Sequence, residues 1–129
     1  MKKVLIIDDN EIFAKTLIDS LPKDEYVATH AWNGSEGLDE LKKDKPDIII
    51  LDLMMPKMGG LQFLEAFKKE NPGRKIPILI SSELSSTKDI SEAVSAGIDI
   101  GVRGYIIKST QNMDMIIRTM DSTLKESTV

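Results

Sequence analysis

A chain of 129 residues is one domain long, with room for a single sizeable core. Its 17 basic and 21 acidic side chains leave a net charge of −4, which argues against a broad nucleic-acid footprint, and the absence of cysteine removes disulfides and thiolate metal sites. No apolar run nears the ~18 residues of a membrane span, and Val4 to Ile7 ends on two aspartates, too early for a secretory leader. The expectation is a cytoplasmic protein, a single domain over residues 1–129 with no output domain in the chain, no membrane insertion and no direct contact with nucleic acid.

Lys3 to Ile7 is a continuous aliphatic run, the pattern of a strand covered on both faces. Asn10 is placed to cap a helix carrying Phe13, Leu17 and Leu21 at four-residue spacing, and Pro22 stops it. Tyr26 to Ala31 is a more polar strand, predicted at a sheet edge. Asn33-Gly34 reads as a turn. Ser35 to Lys43 has helical spacing through Leu38 and Leu41, and Asp47 to Leu51 is the strongest strand. Pro56, Gly59 and Gly60 mark a loop. Leu61, Leu64, Ala66 and Phe67 mark a third helix that closes near Asn71-Pro72-Gly73. Pro77 to Ile80 is a fourth strand, Lys88 to about Ile100 a fourth helix, and Gly104 to Ile107 a fifth strand. Met113, Ile116, Ile117, Met120 and Leu124 line one face of a last helix, which is predicted to end near Lys125.

Five strands alternating with five helices predict an α/β doubly wound (βα)5 fold. Its five-stranded parallel sheet has helices on both faces, and 2-1-3-4-5 is a common strand order for it. In that order the chain reverses direction between strands one and three, and ligands bind beyond the carboxyl ends of the strands at such a point. Asp8 and Asp9 follow the first strand and Asp52 the third, on neighbours about 4.8 Å apart. Ser81 and Ser82 end the fourth strand and Lys108 the fifth. Three close carboxylates need a compensating cation, and hard oxygen ligands favour Mg²⁺ over zinc. A carboxylate held beside a divalent cation and an ammonium suits nucleophilic attack on phosphorus. Dinucleotide binding lacks its glycine fingerprint, and there is no P-loop sequence. A phosphatase would usually need a second carboxylate where Met54 stands.

These residues resemble the response-regulator receiver domain of two-component systems. The matching elements are Asp8-Asp9, Asp52 within Leu51 to Pro56, Gly59-Gly60, Ser82, Gly101 to Tyr105 and Lys108. The resemblance covers essentially the whole chain and implies a flavodoxin-like fold and a stand-alone regulator of the chemotaxis-receiver kind. It implies Asp52 as phosphoacceptor, with Mg²⁺ held by Asp8, Asp9, Asp52 and the Met54 backbone carbonyl. Lys108 and Ser82 would contact the phosphoryl group, and Ser82 with Tyr105 would form the switch. The implied partners are a sensor histidine kinase or phosphotransfer protein and a downstream target. The target would meet the surface of the fourth helix, fifth strand and fifth helix. The protein would be a monomer or a weak phosphorylation-dependent dimer, and no enzyme beyond its own phosphoryl transfer and slow dephosphorylation. The alternative reading is a constitutive receiver-like scaffold.

The sequence departs from the family pattern in three places. Lys108 is followed by Ser109 where the family often has proline and a cis peptide; a cis bond before a non-proline residue costs about 3–4 kcal/mol, so this bond is expected strained or trans. The stretch from Ser82 to Gly101 is about four residues longer than usual, around Ala96 to Ile100. Met54 and Leu84 are apolar and cannot orient a water for hydrolysis, which predicts a long-lived phosphoaspartate. His30, the only histidine, lies on an edge strand and reads as structural rather than as a phosphodonor. Trp32 reads as a packed loop residue, and Met115, off the apolar face of its helix, as a soft contact for a partner.

Overall fold

In the computed structural model the strongest apolar run lies at the centre. It forms β3 (Ile48–Asp52), with every residue buried. The structure describes residues 1–55, 58–71, 75–83, 91–92, 94–95, 101–109 and 111–127. Around β3 the chain forms β1 (Lys2–Ile7), α1 (Glu11–Ser20), β2 (Tyr26–Ala31), α2 (Gly34–Lys43), α3 (Gly60–Glu70) and β4 (Ile78–Ser82). Residues 91, 92, 94 and 95 are helical and are the described part of α4. β5 (Val102–Ile107) and α5 (Met113–Ser127) complete the chain. The strands run parallel in the order β2-β1-β3-β4-β5, with the polar strand β2 at an edge.

Alternation along each strand divides the aliphatic residues between two cores. Leu5, Ile7, Ile49, Leu51, Ile78 and Ile80 pack with Phe63 and Phe67 of α3. Val4, Ile6, Ile48, Ile50 and Leu79 pack with Phe13 and Leu17 of α1 and Ile116 and Met120 of α5. Sheet, α1 and α5 therefore meet on one side, and sheet, α2 and α3 on the other. Among the described residues no helix is long and apolar enough to cross a membrane.

Boundaries of several elements differ from the sequence expectation. Asn33-Gly34 is not a turn: the Asn33 side chain accepts from the Glu36 N–H at 3.0 Å, and a Glu36 carboxylate oxygen accepts from the Trp32 N–H at 3.1 Å. That reciprocal cap starts α2 at Gly34, where a Cβ would stand 2.6 Å from Met58 Cγ. β3 and β4 each start one residue later than predicted and extend to Asp52 and Ser82, because pairing continues through Asp52–Ser81 and Ser82–Ile107. β5 begins at Val102, two residues earlier than predicted. Gly101 precedes it at φ +122°, and any Cβ there would fall 1.9 Å from the Ile76 carbonyl oxygen. Most of the predicted fourth helix, the extra turn at Ala96 to Ile100 and Leu84 lie outside the described residues.

Candidate functional site

The register of the sheet determines which side chains meet. Asp52 follows Ile48 and Ile50 in alternation, so it points to the α1/α5 side; Asp8 follows Val4 and Ile6 in the same way. Both are buried, Asp8 at 1 % and Asp52 at 5 % exposure, while Asp9 is exposed at the rim. Carboxylate oxygens of Asp8, Asp9 and Asp52 lie within 4.8 Å of one another. The buried ammonium of Lys108 stands 2.6 Å from Asp8 Oδ2 and 3.6 Å from Asp52 Oδ2, and 4.5 Å from the centre of the Phe13 ring. The Met54 N–H donates to Asp52 Oδ1 at 3.3 Å.

Asp8 is held from three sides. Its Oδ1 accepts from the Asn10 N–H at 2.9 Å, its N–H donates to the Ala31 carbonyl at 3.0 Å, and its own carbonyl lies 2.7 Å from His30 Nε2. The His30 ring packs on Trp32 with centroids 4.6 Å apart. Asn10, Phe13 and His30 were not singled out from the sequence as site residues. Asn10 and Phe13 carried a signal all the same, since both sit in the first turn after the aspartate pair.

Burial, and then the charge of Asp8, push the Asp52 carboxyl up to about 7; Lys108 and the Met54 N–H oppose this. Three ionised carboxylates and one ammonium leave the cluster with two uncompensated negative charges. A small hard dication suits such an all-oxygen donor set. The residues present thus fit Mg²⁺.

Every described site residue expected from the sequence lies at this end of the sheet. Ser82 is buried, and alternation puts it with Tyr105 on the α2/α3 side of the sheet, opposite Asp52. Tyr105 is 46 % exposed and Met54 65 % exposed. No peptide bond among the described residues is cis, so the Lys108–Ser109 bond is trans.

The family model for the response regulator receiver domain matches residues 4–120. The chain belongs to this family. The chemotaxis protein CheY of Thermotoga maritima is 34 % identical over 111 residues, 85 % of this chain and 88 % of that protein. A protein-glutamate methylesterase/protein-glutamine glutaminase of Oleidesulfovibrio alaskensis is 35 % identical over 98 % of this chain, which amounts to 33 % of that enzyme. This receiver domain spans about a third of the methylesterase relatives and about half of the regulators TcrX and MprA that it matches. The Francisella response regulator 1452 receiver domain superposes with a TM-score of 0.82 at 25 % identity, covering 98 % of this chain and 99 % of that one.

Proposed function

We propose that this receiver domain is a phosphorylation-dependent signalling switch with Asp52 as its phosphoacceptor. The observation that carries the reading is the setting of Asp52: a buried carboxylate beside Asp8, with the Lys108 ammonium 3.6 Å away. An Asp52 oxygen attacks the phosphorus of a phosphohistidine on a sensor kinase or phosphotransfer protein. The new O–P bond forms as the N–P bond breaks, and the imidazole keeps the electron pair. Asp8, Asp9, Asp52 and the Met54 carbonyl would hold Mg²⁺, which when bound would supply positive charge against the phosphoryl oxygens. Lys108 moves from Asp8 toward the phosphoryl group and supplies the second positive charge. The Ser82 hydroxyl donates to the same group from the opposite side of the sheet, and Tyr105 turns inward behind it.

The target surface is that of α4, β5 and α5, where Tyr105 and Met115 are both exposed. A coupling of ~1–3 kcal/mol between phosphorylation and that surface changes target affinity by roughly 5–150-fold. Binding of beryllofluoride with Mg²⁺, followed by amide chemical shifts, tests the reading. Shifts are expected at Ser82, Tyr105 and Lys108 in the wild type and not in Asp52→Asn. An unresponsive wild type would refute the switch, and target binding that ignores Asp52→Asn would favour the constitutive scaffold.

A further inference from the structure

β4 ends in two serines, and the switch described above uses only the second. Ser81 is fully buried, and among the described residues its Oγ has no hydrogen-bond partner. A buried hydroxyl without a partner is destabilising, a cost that alanine at this strand position would avoid.

The surroundings of Ser81 explain what the hydroxyl is for. Ser81 pairs in register with Asp52 on β3 and with Ile106 on β5. Its predecessor by two, Leu79, packs in the α1/α5 core, so Ser81 shares that side of the sheet with Asp8 and Asp52. Lys108 follows β5, yet its ammonium reaches Asp8 after β1 and lies against Phe13 of α1. The strand order is β1-β3-β4-β5, so the lysine stem crosses the end of β4 on the side that Ser81 occupies. At 2.6 Å the ammonium is committed to Asp8; at 3.6 Å it does not yet hydrogen-bond Asp52.

We propose that Ser81 is a positioning residue for Lys108. Its Oγ accepts a hydrogen bond from the ammonium and holds it beside Asp52 once Lys108 leaves Asp8. An ammonium has three donors and no acceptor, and a hydroxyl has two lone pairs, so this bond forms while a second N–H faces the phosphoryl group. In the resting protein the hydroxyl stands unpaired; in the phosphorylated protein it is paired. The proposal rests on Asp52 being the phosphoacceptor.

The two states then respond to Ser81→Ala with opposite signs. Thermal melts without Mg²⁺, and calorimetric titration with beryllofluoride in its presence, compare the wild type with S81A, S81T and D52N. S81A is expected to melt at or above the wild-type temperature and to bind beryllofluoride about tenfold more weakly, which is about 1.4 kcal/mol. S81T, which keeps the hydroxyl, restores most of that affinity. Wild-type affinity in S81A would overturn the proposal. So would a clear loss of thermal stability, because it would make the hydroxyl a support of the resting fold. Wild-type protein that binds no beryllofluoride would instead sink the phosphoacceptor reading, and this proposal with it.

Discussion

At Asp52, burial and the neighbouring Asp8 work against ionisation, and only Lys108 and the Met54 N–H relieve it. The native carboxyl is raised to about 7 from an ordinary 3.8, so the folded state binds the proton more tightly than the unfolded chain does. In metal-free protein, stability therefore falls as pH rises through the window from about 4 to about 7. Asp52→Asn removes that loss. Urea unfolding in EDTA is expected to show the variant gaining roughly 2–4 kcal/mol on the wild type between pH 4 and pH 8. Saturating Mg²⁺ should shrink the difference, because the cation favours the ionised carboxylate. A second residue-scale expectation concerns Met54, exposed at the rim with an apolar side chain. It cannot orient water toward the phosphoryl group, so Met54→Asn should shorten the phosphoaspartate lifetime severalfold in a time course; unchanged decay would assign the slow step elsewhere. The acidic cluster was legible from the sequence because the Asp8-Asp9 pair and Asp52 each come at the end of an aliphatic run. The preference of Lys108 for Asp8 over Asp52 was not, since spacing along the chain does not show where the end of a long, flexible side chain comes to rest. The unpaired Ser81 hydroxyl was equally hidden.

Among the elements, β5 is the one whose placement matters most for the site, because it carries Tyr105 and delivers Lys108. Its entry depends on Gly101, at φ +122° and against the Ile76 backbone. Gly101→Ala should destabilise the protein by roughly 3 kcal/mol or more. Denaturant unfolding measures that loss, and phosphorylation by acetyl phosphate should slow in whatever fraction stays folded. The strands were readable from their runs of Val, Ile and Leu, which a parallel sheet buried on both faces requires. The start of α2 was misread because Asn33-Gly34 fits a turn and a helix cap equally well. The choice falls to Glu36, whose carboxylate reaches back to the Trp32 and Asn33 nitrogens. The early start of β5 was missed for a related reason: a glycine before a strand marks a turn, and its contact with the Ile76 backbone appears only when the sheet is assembled.

Over the whole molecule, the sheet separates two roles. Asp8, Asp52 and Lys108 face α1 and α5, while Ser82 and Tyr105 face the other side, and both groups meet at the carboxyl end of the strands. In the proposed switch a phosphoryl group on Asp52 would be approached from both sides, so one covalent event would draw Lys108 from Asp8 and Ser82 from the far face together. The central claim is that this event takes place on Asp52. The most direct measurement incubates the protein with acetyl phosphate and Mg²⁺, then traps and maps the acyl phosphate by peptide mass spectrometry. The switch requires a single phosphoryl group on the peptide containing Asp52, dependent on Mg²⁺ and absent from Asp52→Asn. A modification mapped to another residue, or none in the wild type, would contradict it.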